Sequence, residues 1–364
     1  MTLLQKPPAK ILIINIFGIG DVLFTMPLVH NVKANFPQVQ IDYVANQRAA
    51  PMLEEQTIIN NVYVYERDEF KKLYDRSKIS FYKEIRAFLK KLKKVQYDMV
   101  FDFSLNPTIN FFTWLIGIKK RIGFNFRNRS PLLTTKVPFQ GFEDRHVVEH
   151  YLDILKILGW NTKTHQMTLE VSERDRQWAK EFLQNHEINK DTKLVGIMPG
   201  AGSSWGENAV FRRWSAEKYA KLADKIVEKF SAKIILMGDK KEQELCFKLE
   251  RAVGKAVIPA HGQTTLGQLA ALLECCRVVV LNDGGPLHMA VAVGTNTVSI
   301  FGPVDEHVYG PYICEQTKGR HVVVARQLPC RPCYRKFKMT RCEHIACLEQ
   351  MGVEDVLQRM EEFL

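Results

Sequence analysis

Lys10-Ile11-Leu12-Ile13-Ile14-Asn15-Ile16-Phe17-Gly18-Ile19-Gly20-Asp21-Val22-Leu23 joins an apolar run, a glycine turn and the start of a helical pattern. The run Lys10–Ile16 has the length and flanks of a parallel strand buried on both faces. Residues 21–35 follow with Val22, Phe24, Leu28, Val29 and Val32 at helical spacing. The turn is not the dinucleotide fingerprint, because Leu23 stands where that motif needs its third glycine. It is not a P-loop either, since no Gly-Lys-Ser/Thr follows. Two roles remain open for Asp21. It caps the helix, or it is a carboxylate at the mouth of a cleft that takes a proton from a hydroxyl.

The same alternation runs outward from this stretch. Gln40–Ala45, Val62–Tyr65 and Met99–Phe103 read as further strands, and residues 145–158 as an amphipathic helix stopped by Gly159. Residues 160–166 are polar and aperiodic and read as a linker. Ser172 is a helix N-cap. A second series then predicts strands at Leu194–Met198, Lys233–Met237, Val278–Leu281 and Thr297–Phe301. Helices are predicted at Ala216–Lys229, Glu242–Val253, Leu266–Leu273 and Pro286–Val293. Two such series in 364 residues predict two doubly wound α/β domains, the first over 1–165. Ligands in such sheets bind beyond the carboxyl ends of strands, which directs attention to residues 17–21, 199–213, 238–242 and 282–286.

Hydrophobic residues make up 46% and charged residues 25%, which excludes a disordered or collagen-like chain. No apolar run reaches the length that spans a bilayer. The run Ile11–Gly20 imitates a short signal peptide but meets Asp21 with no cleavage site after it, so a cytoplasmic chain beginning near Met1 is expected. The net charge of +11 is concentrated. Lys71–Lys94 holds ten Lys/Arg against Asp75 and Glu84, Lys119–Arg129 holds five, and Arg320–Arg341 holds seven, the last two without an acid. An anionic partner is expected. Part of the first stretch reads as a solvated helix face. Its Ile85, Phe88, Leu89 and Leu92 also make a basic amphipathic helix suited to anionic lipid.

Three other constellations could carry chemistry. Pro199-Gly200-Ala201-Gly202-Ser203-Ser204, followed by Arg212 and Arg213, offers backbone N–H groups and positive charge to a diphosphate. A mobile loop with a solvated arginine pair fits it equally well. Asn282-Asp283-Gly284-Gly285-Pro286-Leu287-His288 places two glycines at a helix N-terminus, where an anion is favoured. Asp283 could accept from sugar hydroxyls, and His288 could reach a phosphate or be a satisfied core histidine. Finally, Cys330, Cys333, Cys342 and Cys347 crowd the tail with His344 beside them. Structural zinc is one reading of these thiols, behind plain or paired cysteines, because the spacing matches no standard finger or ribbon.

Taken together, Lys10–Leu23 with Pro27, Pro199-Gly200-Ala201 with Arg212-Arg213-Trp214, and Asn282–Ala290 with Phe301-Gly302-Pro303 resemble glycosyltransferase family 9, the ADP-heptose:lipopolysaccharide heptosyltransferases. The resemblance runs from Lys10 to about Val353. Pro329-Cys330 and Cys333-Tyr334 fit a pattern of many members. It implies a GT-B fold: two Rossmann-like doubly wound domains facing across a cleft. The acceptor is expected on 1–165, the nucleotide-sugar on 166–350, and a C-terminal helix over 351–364 packing back on the N-terminal domain.

It further implies inverting transfer of a heptose from ADP-heptose to a lipopolysaccharide core acceptor, with no metal or other cofactor. Asp21 matches the catalytic carboxylate. Gly200, Ser203, Ser204, Arg212, Glu242, Asp283, Gly284, Gly285 and His288 are the expected donor-binding residues. Glu242 falls near the family's ribose-binding acid, and Gly284 stands where lipopolysaccharide enzymes often have Thr. On the acceptor side Gly18, Gly20, Lys120, Arg121 and Arg127 are expected to meet an anionic, lipid-anchored glycan, with the chain peripheral on the inner face of the cytoplasmic membrane. Two alternatives stand beside this: a GT-B transferase using another nucleotide-sugar for a different surface glycan, and a non-catalytic basic protein on anionic lipid or nucleic acid. No nucleic-acid-binding signature accompanies the basic stretches, so nucleic acid is not the expected partner.

Overall fold

The structure, a computed structural model, describes residues 7–202, 206–340 and 342–364. The chain divides into two compact units, 1–142 with 148–165, and 143–147 with 166–364.

The first unit carries β1 (Lys10–Ile14), α1 (Ile19–Leu23), α2 (Met26–Asn35), β2 (Gln40–Ala45), α3 (Ala50–Glu54), β3 (Asn61–Val64), α4 (Arg67–Arg76), α5 (Lys78–Val95), β4 (Met99–Asp102), α6 (Pro107–Leu115), β5 (Lys120–Phe126) and β6 (Thr135–Phe139). The helix α7 (Val147–Ile157) follows at the boundary. The strands form one parallel sheet in the order β3-β2-β1-β4-β5-β6. The order reverses at β1, so the loop after β1 is a topological switch point. Ile11, Leu12, Ile13 and Ile14 are all buried, as a strand covered on both faces requires. On one face α5 and α6 share a core with the sheet, through Ile85, Leu89, Leu92 and Ile109 against Leu12, Ile14, Val44 and Val100. On the other, Phe103 packs on Tyr151 of α7 with ring centroids 4.6 Å apart.

The helix expected over 21–35 is broken into α1 and α2. Pro27 stands in the first turn of α2, where its missing N–H breaks no helical bond. Two strands hidden inside charged sequence, β5 and β6, complete the sheet. In β5 Ile122 and Phe124 are buried while Lys120 stays exposed, so a basic run conceals a strand.

The second unit carries α8 (Glu173–Asn185), β7 (Leu194–Met198), α9 (Ala216–Phe230), β8 (Lys233–Leu236), α10 (Gln243–Val253), β9 (Val257–Pro259), α11 (Leu266–Cys275), β10 (Val278–Asn282), α12 (Gly285–Val293), β11 (Thr297–Phe301), α13 (Glu306–Tyr309) and β12 (His321–Ala325). A two-strand hairpin, β13 (Tyr334–Arg335) and β14 (Lys338–Met339), precedes α14 (Ala346–Glu349) and α15 (Val353–Met360). Its sheet is again parallel, ordered β12-β11-β10-β7-β8-β9, with the switch between β7 and β10. Ser172 caps α8 by accepting from Asp175 N–H at 3.2 Å, and Gly294 ends α12 in the left-handed conformation at φ 83°.

The final helix is part of the second unit's own core. Val356, Leu357, Met360 and Phe363 are buried in the core of the second unit, with Ile226 of α9 and Ile300 of β11. Arg326 pairs with Asp355, and Lys225 with Glu354 at 2.7 Å. An amphipathic helix buries its apolar stripe against whatever core is within reach, and here that core is its own unit's.

Candidate active site

In the first unit the switch-point loop is built by asparagines. Asn15, directly after β1, is wholly buried. Its Nδ2 donates to the Asp21 carbonyl at 3.0 Å, and its Oδ1 accepts from Phe17 N–H at 3.1 Å. Asn46, directly after β2, donates to the carbonyls of Ile16, at 3.2 Å, and of Phe17. These bonds satisfy backbone groups that have left the sheet ladder. They fix the turn Gly18–Gly20 that delivers Asp21 to the first turn of α1. Asp21 is half-buried, and its Oδ2 accepts from Gly18 N–H at 3.1 Å. Gly20 is buried in the turn. The carboxylate is therefore oriented by its own loop and lies in the favourable field of a helix start. Its charge is felt by buried Tyr43, whose phenol is pushed up chiefly by burial, opposed by a hydrogen bond with Thr25, with Asp21 adding to the rise.

The expected acceptor cations separate. Arg127 directly follows β5, at the same sheet edge as the Asp21 loop, with its guanidinium 4.8 Å from the Phe126 ring. Lys120 and Arg121 lie at the amino end of β5, at the other end of the sheet from the Asp21 loop. Ile11 pairs with Met99 and Met99 with Lys120, so Lys120 sits three residue rows, about 10 Å, from the carboxyl end of β1. Arg121 Nε donates to Leu132 O at 2.7 Å and its Nη1 to Ile118 O, so it clamps its own loop. Lys120, with Lys93 and Lys119, lines a cleft of about 540 Å³ at the C-terminal ends of α5 and α6.

In the second unit three loops meet beyond the carboxyl ends of the strands. Asn282, the last residue of β10, ties the two ends of the β7–α9 loop to itself. Its Nδ2 donates to Pro199 O at 2.8 Å and Gly200 O at 2.9 Å, while its Oδ1 accepts from Trp214 N–H at 3.0 Å. Glu242 joins that loop to the turn before α10. Its carboxylate accepts from Gly202 N–H at 3.0 Å and Asp239 N–H at 3.2 Å. A Cβ on Gly200 would stand 1.9 Å from Glu242 Oε1, so only glycine lets this loop lie on the carboxylate. Burial raises the Glu242 pKa, and the nearby Asp239 raises it further. The backbone bonds and Arg213, 3.8 Å away, oppose them.

Arg212 and Asp283 form a buried ion pair at 2.7 Å. Burial raises the Asp283 carboxyl and Arg212 opposes it. Removing either partner would leave an uncompensated buried charge, so the two act as one unit. A Cβ at Gly284 would come within 3.1 Å of Ala201 O, showing how closely the 199–202 loop approaches the start of α12. Gly285 opens α12. His288, in its first turn, is buried and held neutral, its pKa lowered to about 3 by desolvation, then by His146 and Arg212. It offers a hydrogen bond and no charge. Ser203 and Ser204 lie outside the described residues.

The positioning roles of three residues escaped the sequence reading: Asn15, Asn46 and Asn282. Each stands at or one place past the carboxyl end of a strand, and that repeated placement was the available signal. Among the described residues no three His, Cys, Asp or Glu side chains gather closely enough to hold an ion, and all eight cysteines are free thiols.

The sequence profile of glycosyltransferase family 9 (heptosyltransferase) matches residues 85–344. The chain belongs to that family. As a family 9 glycosyltransferase it is an enzyme, and its two doubly wound units are those of the GT-B fold. It is 25% identical over 301 residues to lipopolysaccharide heptosyltransferase 3 of Escherichia coli, covering 80% of this chain and 83% of that protein. A glycosyl transferase family 9 structure from Veillonella parvula superposes with a TM-score of 0.80 at 22% identity, over 98% of this chain and 97% of that one. The E. coli ADP-heptose lps heptosyltransferase II superposes at 0.76 with 20% identity, over 97% and 98%.

Proposed function

We propose that this family 9 enzyme transfers a heptose from ADP-heptose to an anionic, lipid-anchored lipopolysaccharide core acceptor, with inversion and without a metal. The observation that carries the mechanism is the half-buried Asp21 carboxylate, oriented by Gly18 N–H at the switch point of the first sheet. Asp21 takes the proton of the acceptor hydroxyl as its oxygen bonds to the anomeric carbon. The bond from that carbon to the diphosphate breaks, and ADP leaves with its electron pair. One displacement gives one inversion. The leaving diphosphate is received by fixed donors of the second unit: the backbone of the Gly200 loop, the first turn of α12, and Arg212. Asp283 accepts from sugar hydroxyls, and Glu242 from the ribose once the Gly202 contact yields. Gly18, Gly20 and Arg127 line the acceptor side. The seven exposed cations of α5 support attachment to the inner face of the cytoplasmic membrane.

The test is Asp21→Asn, measured for turnover and for ADP-heptose binding in parallel. Turnover is expected to fall by roughly 10²–10⁴-fold, the range of a general base, with donor affinity nearly intact. An Asp21→Asn enzyme with native turnover would remove Asp21 from the chemistry. A donor panel of ADP, UDP and GDP sugars reads the other half. Thermal stabilisation by UDP or GDP sugars in preference to ADP-heptose would overturn the donor assignment. Proton NMR of the product's anomeric centre reads the inversion.

A further inference from the structure

The outward face of α6 carries Phe111, Trp114 and Leu115, spaced i, i+3, i+4 and therefore on one side of the helix. They are 44%, 49% and 50% exposed. Phe111 and Trp114 lie with ring centroids 5.7 Å apart, so the three make one patch. Single exposed apolar residues need no explanation, but an aromatic stripe on a helix with no charged residue does. Next to it lies α5. Both helices pack on the same face of the first sheet, with Leu89 and Leu92 of α5 beside Ile109 and Phe112 of α6 and Ile116 just after it, so their outward sides face the same way. The exposed side of α5 holds Lys78, Lys83, Arg86, Lys90, Lys91, Lys93 and Lys94 against Glu84, a net charge of seven minus one, or +6. Near its start Ile79 is 83% exposed and Tyr82 62% exposed. Lys119 and Lys120, exposed, continue the positive charge just past α6.

We infer that the α5–α6 face of the first unit seats the enzyme on an anionic bilayer, with Phe111, Trp114 and Leu115 entering the headgroup boundary and the α5 cations meeting lipid phosphates. This deepens the proposed function and rests on its reading of the acceptor as lipid-anchored. Charge complementarity selects the occupant. Cations alone would suit any polyanion, and an apolar stripe alone would suit a second copy of the chain. The two side by side are the pattern of an interfacial helix surface. Trp and Phe suit this depth because a large apolar ring is buried while polar neighbours stay wet.

The full chain is tested by co-sedimentation with vesicles of phosphatidylcholine, with and without phosphatidylglycerol. Two variants are compared with it: Phe111→Ser, Trp114→Ser and Leu115→Ser together, and Lys90→Glu with Lys94→Glu. All five side chains are exposed, and far-UV circular dichroism with a melting curve checks the fold of each. The native chain is expected on the phosphatidylglycerol vesicles, with salt-sensitive binding. Each variant is expected to partition roughly tenfold less or weaker still. Transfer to a soluble, de-acylated acceptor should be unchanged in both variants, and transfer to the same acceptor embedded in vesicles should fall. A native chain that stays in the supernatant, or variants that bind as the native chain does, would overturn the inference. So would a native dimer that the α6 variant turns into a monomer, since the stripe would then be a self-contact. Loss of the heptosyltransfer reading leaves the sedimentation result standing, so the two failures can be told apart.

Discussion

Asp102 ends β4 beside Ile14, one strand from the loop that carries Asp21. It is fully buried, and burial pushes its pKa up to about 6, against the hydrogen bonds it accepts from Ser104 and Asn110. A carboxyl whose folded pKa is raised favours the folded state in its protonated form. Its contribution is full below the ordinary value near 4 and is lost as pH rises through 6. The shift corresponds to about 3 kcal/mol above pH 6. Asp102→Asn should therefore stabilise the first unit at pH 8 and change little at pH 4. Among the described residues Asn110 Oδ1 has no hydrogen-bond partner, so it can receive the introduced amide. Urea unfolding at both pH values checks this, and equal effects at the two would refute the linkage. Sequence could not locate this group. It quoted Met99–Phe103 as a strand, but whether a strand-end aspartate is buried depends on β1 and β5 on either side of it. The same holds for Asn15 and Asn282, whose partners lie in other loops. The turn that carries Asp21 was legible because its glycines and its helix are adjacent in the chain.

At the scale of elements, strands with unbroken apolar runs were plain: β1, β7, β10 and β11 stand where the pattern put them. The misses have physical causes. Lys120–Phe126 alternates on a strand period but begins with two cations, so charge masked the period. The helix at 21–35 carried a proline that sequence spacing alone could not weigh. The core that the last helix joins was not legible, because an amphipathic stripe says that a face is buried, not against what. Its partner now sets an expectation. Leu357→Ala and Met360→Ala each open a cavity between α15 and α9, at a cost of roughly 2–5 kcal/mol apiece. Chemical denaturation should show the second unit unfolding earlier in each variant, with the first unit's transition unmoved. A shift confined to the first unit would contradict the placement of α15.

Among the described residues each unit has a core of its own, and the proposed donor-binding loops belong to only one unit. Unfolding of such a chain need not be two-state. On the proposed donor site ADP would bind the folded second unit, so it should raise the transition of that unit and leave the first in place. At a hundred times its Kd the gain is about 2.7 kcal/mol. Differential scanning calorimetry with and without ADP separates the two. A uniform shift of the whole profile would mean that the first unit also responds to the nucleotide.

The burial of α15 in the second unit also orders events in time during synthesis. The first unit's last residue, His165, and Phe363, which closes the second core, are 198 positions apart (363 minus 165). At ordinary translation speed the interval between their appearances is roughly 10–40 s. For that interval a finished first unit trails a second unit whose core lacks its closing helix. A chain that stops before Val353 would leave that apolar face of α9 and β11 open to chaperones and proteases.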